Sequence, residues 1–165
     1  MRERTPMDSP ARIFAVTGDA VARFRLHDPQ PEFALEGYQI RCIDTRDPER
    51  AYVGTVDNGL WFSSDGGASW REAGPSIDEP RVLSVAVSRS DERAGVAVVY
   101  AGTEPRSLYR SEDGGLSWQV LPALRELPSA SNWSFPPRPW THHVRASALH
   151  RPIRSRSQSG SSLAG

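Results

Sequence analysis

Two carboxylates stand out by their setting. Ser63-Ser-Asp65-Gly-Gly67-Ala-Ser69-Trp70 and Ser111-Glu-Asp113-Gly-Gly115-Leu-Ser117-Trp118 share the pattern Ser-x-Asp-x-Gly-x-Ser-Trp. An aspartate in such a run could serve as an acid, a base or a nucleophile. Its oxygens could equally accept backbone N–H groups a few residues on and close an Asx-type turn. The duplication favours the turn, because two copies in two structural units do not converge on one reaction centre. On this reading the serine hydroxyls cap the remaining donors. Gly67 and Gly115 supply positive φ at no steric cost. Trp70 and Trp118 place large apolar surfaces where neighbouring strands or units meet. All ten fixed residues are therefore assigned as structural: Ser63, Asp65, Gly67, Ser69, Trp70, Ser111, Asp113, Gly115, Ser117 and Trp118. No residue is assigned as catalytic.

A second group carries a different chemistry. Residues 131–145 read SNWSFPPRPWTHHVR. Trp133 and Trp140 offer flat apolar faces for stacking on a sugar or an aromatic ligand, and Arg138, His142, His143 and Arg145 could add charge and hydrogen bonds. These six are the candidate ligand-binding residues. The competing reading is a Pro-rich lid packed on the fold. Adjacent histidines in a strand point to opposite faces, so His142 and His143 do not chelate one ion. No metal and no cofactor is expected. Cys42 is a lone cysteine in an apolar register and reads as a small hydrophobe.

The elements that must position these groups announce themselves as a repeat. Residues 52–70 (YVGTVDNGLWFSSDGGASW) and 100–118 (YAGTEPRSLYRSEDGGLSW) align without a gap. Ile40, Val82 and Val144 open matching strands, with about 20 extra residues before the last. Arg12 to Leu26 resembles a hairpin turning at Gly18-Asp19, a degenerate preceding unit without the signature turn. Gly, Pro and β-branched residues interrupt every helical stretch. Four short strands in about 45 residues is the arithmetic of a propeller blade.

The two octets resemble the Asp-box, the bacterial neuraminidase repeat, at every fixed position. The surrounding Tyr-x-Gly-Thr text is similar to bacterial proteins labelled sialidase-like or glycosyl hydrolase. The resemblance covers roughly residues 10 to 145. It implies an all-β fold, an incomplete β-propeller of four-stranded antiparallel blades with Asp-box turns. In that family the boxes lie on the blade periphery, so they imply fold rather than activity. Family members that are exo-sialidases share a Phe/Tyr-Arg-Ile-Pro segment, an arginine triad and a Tyr/Glu pair. Ala11-Arg12-Ile13-Phe14 departs from the first, and no spacing singles out the others. The expectation is a non-catalytic scaffold or ligand-binding repeat protein. The alternatives are a sialidase-like hydrolase or its remnant, and an assembly factor for a protein partner.

Composition bounds the rest. The 165 residues hold 20 basic and 20 acidic side chains, and every basic one is Arg. A neutral chain is not built for electrostatic binding to nucleic acid or a membrane. One cysteine excludes an internal disulfide framework. No leader is read at the N-terminus, which makes the expected location cytoplasmic. The expected partner is unknown, with carbohydrate or protein in view. Residues 1–9 are expected to be disordered and 10–145 to form the partial propeller. Residues 146–165, rich in Ser and Arg, are expected to be a disordered or out-of-frame tail. The chain then reads as a truncated or frameshifted piece of a longer propeller.

Overall fold

Short runs of β-branched and aromatic residues, several of them ended by a glycine turn, fold here into three antiparallel sheets. The computed structural model describes residues 12–26, 28–73, 76–124, 126–129, 132 and 144. The first sheet holds β1 (Arg12–Val16), β2 (Val21–Arg25) and β3 (Asp28–Ala34). The second holds β4 (Ile40–Asp47), β5 (Arg50–Thr55), β6 (Leu60–Ser63) and β7 (Arg71–Glu72). The third holds β8 (Arg81–Arg93), β9 (Val96–Glu104), β10 (Ser107–Ser111) and β11 (Gln119–Val120). Within each sheet the strands follow one another as a meander. The Gly18-Asp19 hairpin lies where the sequence placed it, between β1 and β2.

Alternation along the strands gives each sheet a forward face, toward the next sheet in the chain, and a backward face. Val53 and Ile43 of the second sheet pack backward on Val21, Phe14 and Val16. Tyr52, Leu60 and Phe62 pack forward on Val85, Val99, Ala101 and Tyr109. The core is therefore two interlayers rather than one centre. Valines serve it well because a β-branched side chain fills a pleated surface at little rotamer cost.

Register shows what the first sheet is. Phe14 pairs with Arg23, Tyr52 with Phe62, and Tyr100 with Arg110. The hairpins close alike: Thr17 N donates to the Ala20 carbonyl as Thr55 N does to that of Gly59. So β1, β2 and β3 match β5, β6 and β7, the second to fourth strands of the next sheet. A match to the first strand, β4, is absent among the described residues.

Two strand glycines mark close approaches to the segment that follows each sheet. A Cβ on Gly54 would lie 2.6 Å from both the Val82 carbonyl oxygen and Cys42 Sγ. A Cβ on Gly102 would lie 2.5 Å from Val144 Cγ1 and 2.4 Å from Ser84 Oγ. Val144 N also donates to the Thr103 carbonyl at 3.2 Å. Val144 thus sits on the third sheet where Val82 sits on the second, the shared register read from the sequence. Gly54→Ala should lower stability by about 1–3 kcal/mol through overpacking against backbone. Urea unfolding should show a lower midpoint with an unchanged slope.

Candidate functional site

Each Asp turn joins the third strand of its sheet to the fourth. Leu60–Ser63 and Ser107–Ser111 run into the turns, and Arg71 and Gln119 begin the returns. Gly66, Gly67, Gly114 and Gly115 all carry positive φ, +82° at Gly67 and +92° at Gly115, a region that costs other residues dearly.

The aspartates are occupied within their own turns. Ser69 N donates to Asp65 Oδ1 at 2.9 Å and Ser69 Oγ to Oδ2 at 2.6 Å. Ser63 Oγ donates to Oδ1 at 2.8 Å and accepts from Gly67 N at 2.7 Å. The second turn repeats this. Asp113 Oδ1 accepts from Ser111 Oγ at 2.8 Å, Leu116 N at 3.0 Å and Ser117 N at 2.9 Å, while Oδ2 accepts from the Ser117 hydroxyl. Gly115 N donates to Ser111 Oγ at 2.8 Å. Donation from Ser69, first through its hydroxyl and then its amide, holds the Asp65 carboxyl well below the usual carboxylate range. At Asp113 partial burial pushes upward, but donation from Ser117, Ser111 and Leu116 outweighs it and brings the pKa down to about 2. Both oxygens of each carboxylate are thus engaged by donors of its own turn, three at Asp65 and four at Asp113.

Each turn also seats on the sheet before it. The Gly66 carbonyl accepts from Arg23 Nη1 at 3.0 Å, and its equivalent at Gly114 accepts from Tyr52 OH at 3.0 Å. A Cβ on Gly67 would meet the Phe14 ring, and one on Gly115 the Tyr52 ring. Phe14 occupies the position of Tyr52 but has no hydroxyl, so its cross-strand neighbour Arg23 supplies the donor. Arg12 closes the first seat, donating to the Pro48 carbonyl and Glu49 at 2.8 and 2.9 Å. Trp118 is buried and donates Nε1 to the Ala73 carbonyl at 3.0 Å. Trp70 stands edge-on to Phe14, and its Nε1 finds no acceptor among the described residues. Phe14, Arg23, Tyr52 and Ala73 are the partners that motif reading missed. The repeat match of Tyr52 with Tyr100 was their one signal, and it does not say what the ring touches.

The ten turn residues therefore form two separate assemblies, one on the first sheet and one on the second. Of the candidate ligand-binding residues, Trp133, Arg138, Trp140, His142, His143 and Arg145 lie outside the described residues. A hollow at the rim between the second and third sheets brings together Arg46, Arg50, Tyr52 and Glu92. These are the residue types that anionic-sugar hydrolysis uses, but they are spoken for here. Glu92 pairs with Arg46, and Tyr52 is 2% exposed with its hydroxyl committed to Gly114. The Cys42 thiol is pushed up to about 11 chiefly by burial, which makes it a poor nucleophile at neutral pH.

The chain matches no known protein-family model and no curated protein.

The protonation sign follows from the lowered folded-state values. Carboxylate stabilisation is fully present above the unfolded pKa, near 4, and is lost as pH falls toward about 2. Thermal midpoints should drop across that window. Asp113→Ala, which strands the amides of Leu116 and Ser117, should cost about 1–2 kcal/mol at pH 7, and should flatten the acid limb. Tyr52→Phe should cost about 1 kcal/mol, because the Gly114 carbonyl loses its buried donor.

Proposed function

We propose that the chain is a non-catalytic Asp-box repeat protein: part of a β-propeller that serves as a scaffold or presents a ligand surface. The single observation that carries this reading is the commitment of both aspartates, each to its own turn, with the two turns seated on different sheets. A catalytic carboxylate needs a free oxygen facing a substrate and a partner group within reach. Both oxygens of Asp65 and of Asp113 already accept from donors of their own turns.

Three antiparallel sheets in chain order, meeting through like interlayers, support the propeller architecture. The octets support the Asp-box family. The ligand surface, carbohydrate or protein, rests on the aromatic and basic run at Trp133, Arg138, Trp140, His142, His143 and Arg145.

A fluorogenic sialoside tests the catalytic alternative. The chain should release no fluorophore above the buffer rate, and Asp65→Asn should change the melting temperature alone. Turnover that Asp65→Asn abolishes with an unaltered melting temperature would replace this reading with the hydrolase.

A further inference from the structure

The hairpin that joins β5 to β6 carries a pair of residues able to react with each other. Asn58 is the one asparagine of the chain that precedes a glycine, and it is exposed. Glycine has no side chain to shield its own backbone nitrogen. Once that nitrogen gives up its proton it can attack the asparagine side chain. The Gly59 N–Cγ bond of Asn58 forms, and the side-chain NH2 leaves with a proton as ammonia. Water then opens the succinimide ring. Cleavage between the nitrogen and Cγ gives aspartate. Cleavage between the nitrogen and the Asn58 main-chain carbonyl carbon routes the backbone through Cγ and gives isoaspartate, a chain longer by a methylene.

The fold ties down both ends of the peptide unit that must move. The Asn58 carbonyl accepts from Trp61 Nε1 at 2.8 Å. The Gly59 N–H donates to the Pro80 carbonyl at 2.8 Å, and Pro80 immediately precedes β8 of the third sheet. The hairpin is closed around this unit. The Gly59 carbonyl accepts from Thr55 N at 3.0 Å and Thr55 Oγ1 at 2.8 Å, and Asn58 N donates to Thr55 Oγ1 at 2.9 Å. Arg81 Nε pairs with Asp57 at 3.2 Å, a second link from the hairpin to β8. Attack on Cγ requires the Gly59 proton to pass to solvent and the peptide plane to swing toward the side chain. A proton held by Pro80 and a plane pinned by Trp61 allow neither. The Trp61 bond lies within the second sheet, but the Pro80 bond spans the junction with the third.

We propose that Asn58-Gly59 is a deamidation site gated by the junction of the second and third sheets. It reacts when the segment entering β8 parts from the hairpin, and its isoaspartate product keeps the junction open. The added methylene displaces Gly59 along the chain. Closure of the hairpin on Thr55 and donation to Pro80 then no longer fit the same backbone path. Local openings of this kind cost less than unfolding the whole array. A brief separation of two sheets is thereby written into the covalent structure. The gate holds whether or not the sheets belong to a closed ring, and whatever the ligand surface binds.

Peptide mapping by mass spectrometry tests this on the full-length chain, held at neutral pH in native buffer and in denaturing urea. Conversion at Asn58 should be slower in native buffer by about ten-fold or more, since only the opened fraction reacts. Trp61→Phe keeps a ring against Tyr38 but removes the donor to the Asn58 carbonyl. It should speed native conversion by about 2- to 10-fold, the worth of one hydrogen bond, and leave the rate in urea unchanged. Hydrogen exchange at the Gly59 amide should rise in the same proportion, because both events need that nitrogen to leave Pro80. The purified isoaspartate form should exchange Gly59 freely and melt lower than the parent, whereas Asn58→Asp, with the same charge and the normal backbone, should melt with it. Equal rates in native buffer and in urea would overturn the gate. So would a Trp61→Phe chain whose Gly59 exchange rises while its conversion does not. An isoaspartate form that keeps the parent's melting temperature and Gly59 protection would overturn the claim that the product holds the junction open.

Discussion

Everything in this array depends on one contact made twice: the carbonyl of a turn glycine, presented by an aspartate clasp, accepting a hydrogen bond from the sheet before it. Gly66 takes that bond from Arg23 and Gly114 takes it from Tyr52. A β-meander of four short strands has little to fix it to a neighbour except apolar area, which has no direction. The carbonyl supplies direction. It is buried against an aromatic ring, where an unmet acceptor would be costly, so the sheet-to-sheet register is tied to turn geometry. The aspartate acts one step earlier. By gathering one or two amides and two hydroxyls it fixes a backbone path with two successive residues at positive φ.

The variation between the two seats is instructive. Phe14 keeps the ring that the turn packs on but lacks the hydroxyl. Arg23, opposite it across the β1–β2 pair, reaches the same carbonyl. Two residue types at two positions meet one physical demand. Such an exchange identifies the demand more clearly than identity would. The tryptophans behave less uniformly: Trp118 has an acceptor in Ala73, whereas Trp70 has none among the described residues. Apolar area is thus their shared role, and the indole hydrogen bond is not.

The all-β class, the two Asp turns, the hairpin at Gly18 and the shared register of Val82 and Val144 were legible in the residues. They are local or periodic, and a repeat doubles every local signal. The partners of the turns were not legible, because they depend on which residues lie across a strand pair and across an interlayer. Strand β3 also escaped notice. Its Asp28-Pro-Gln-Pro31 start reads as a turn, and such prolines are tolerated only because β3 is an edge strand. The nature of the first sheet needed pairing register, since β1 shares almost no identity with β5. The aromatic and basic run around Trp133 to Arg145 supports a ligand surface through residue type alone.

The central claim is that each aspartate is a backbone clasp that docks one sheet on another. Native-state hydrogen exchange at the amides of Gly67, Ser69, Gly115 and Ser117 examines it most directly. These amides lie in surface turns, yet the account predicts protection as deep as that of Val53 and Ala101 in the central strands, released only by opening of the whole array. Exchange at the rate of an unprotected loop, with the strands still protected, would contradict it.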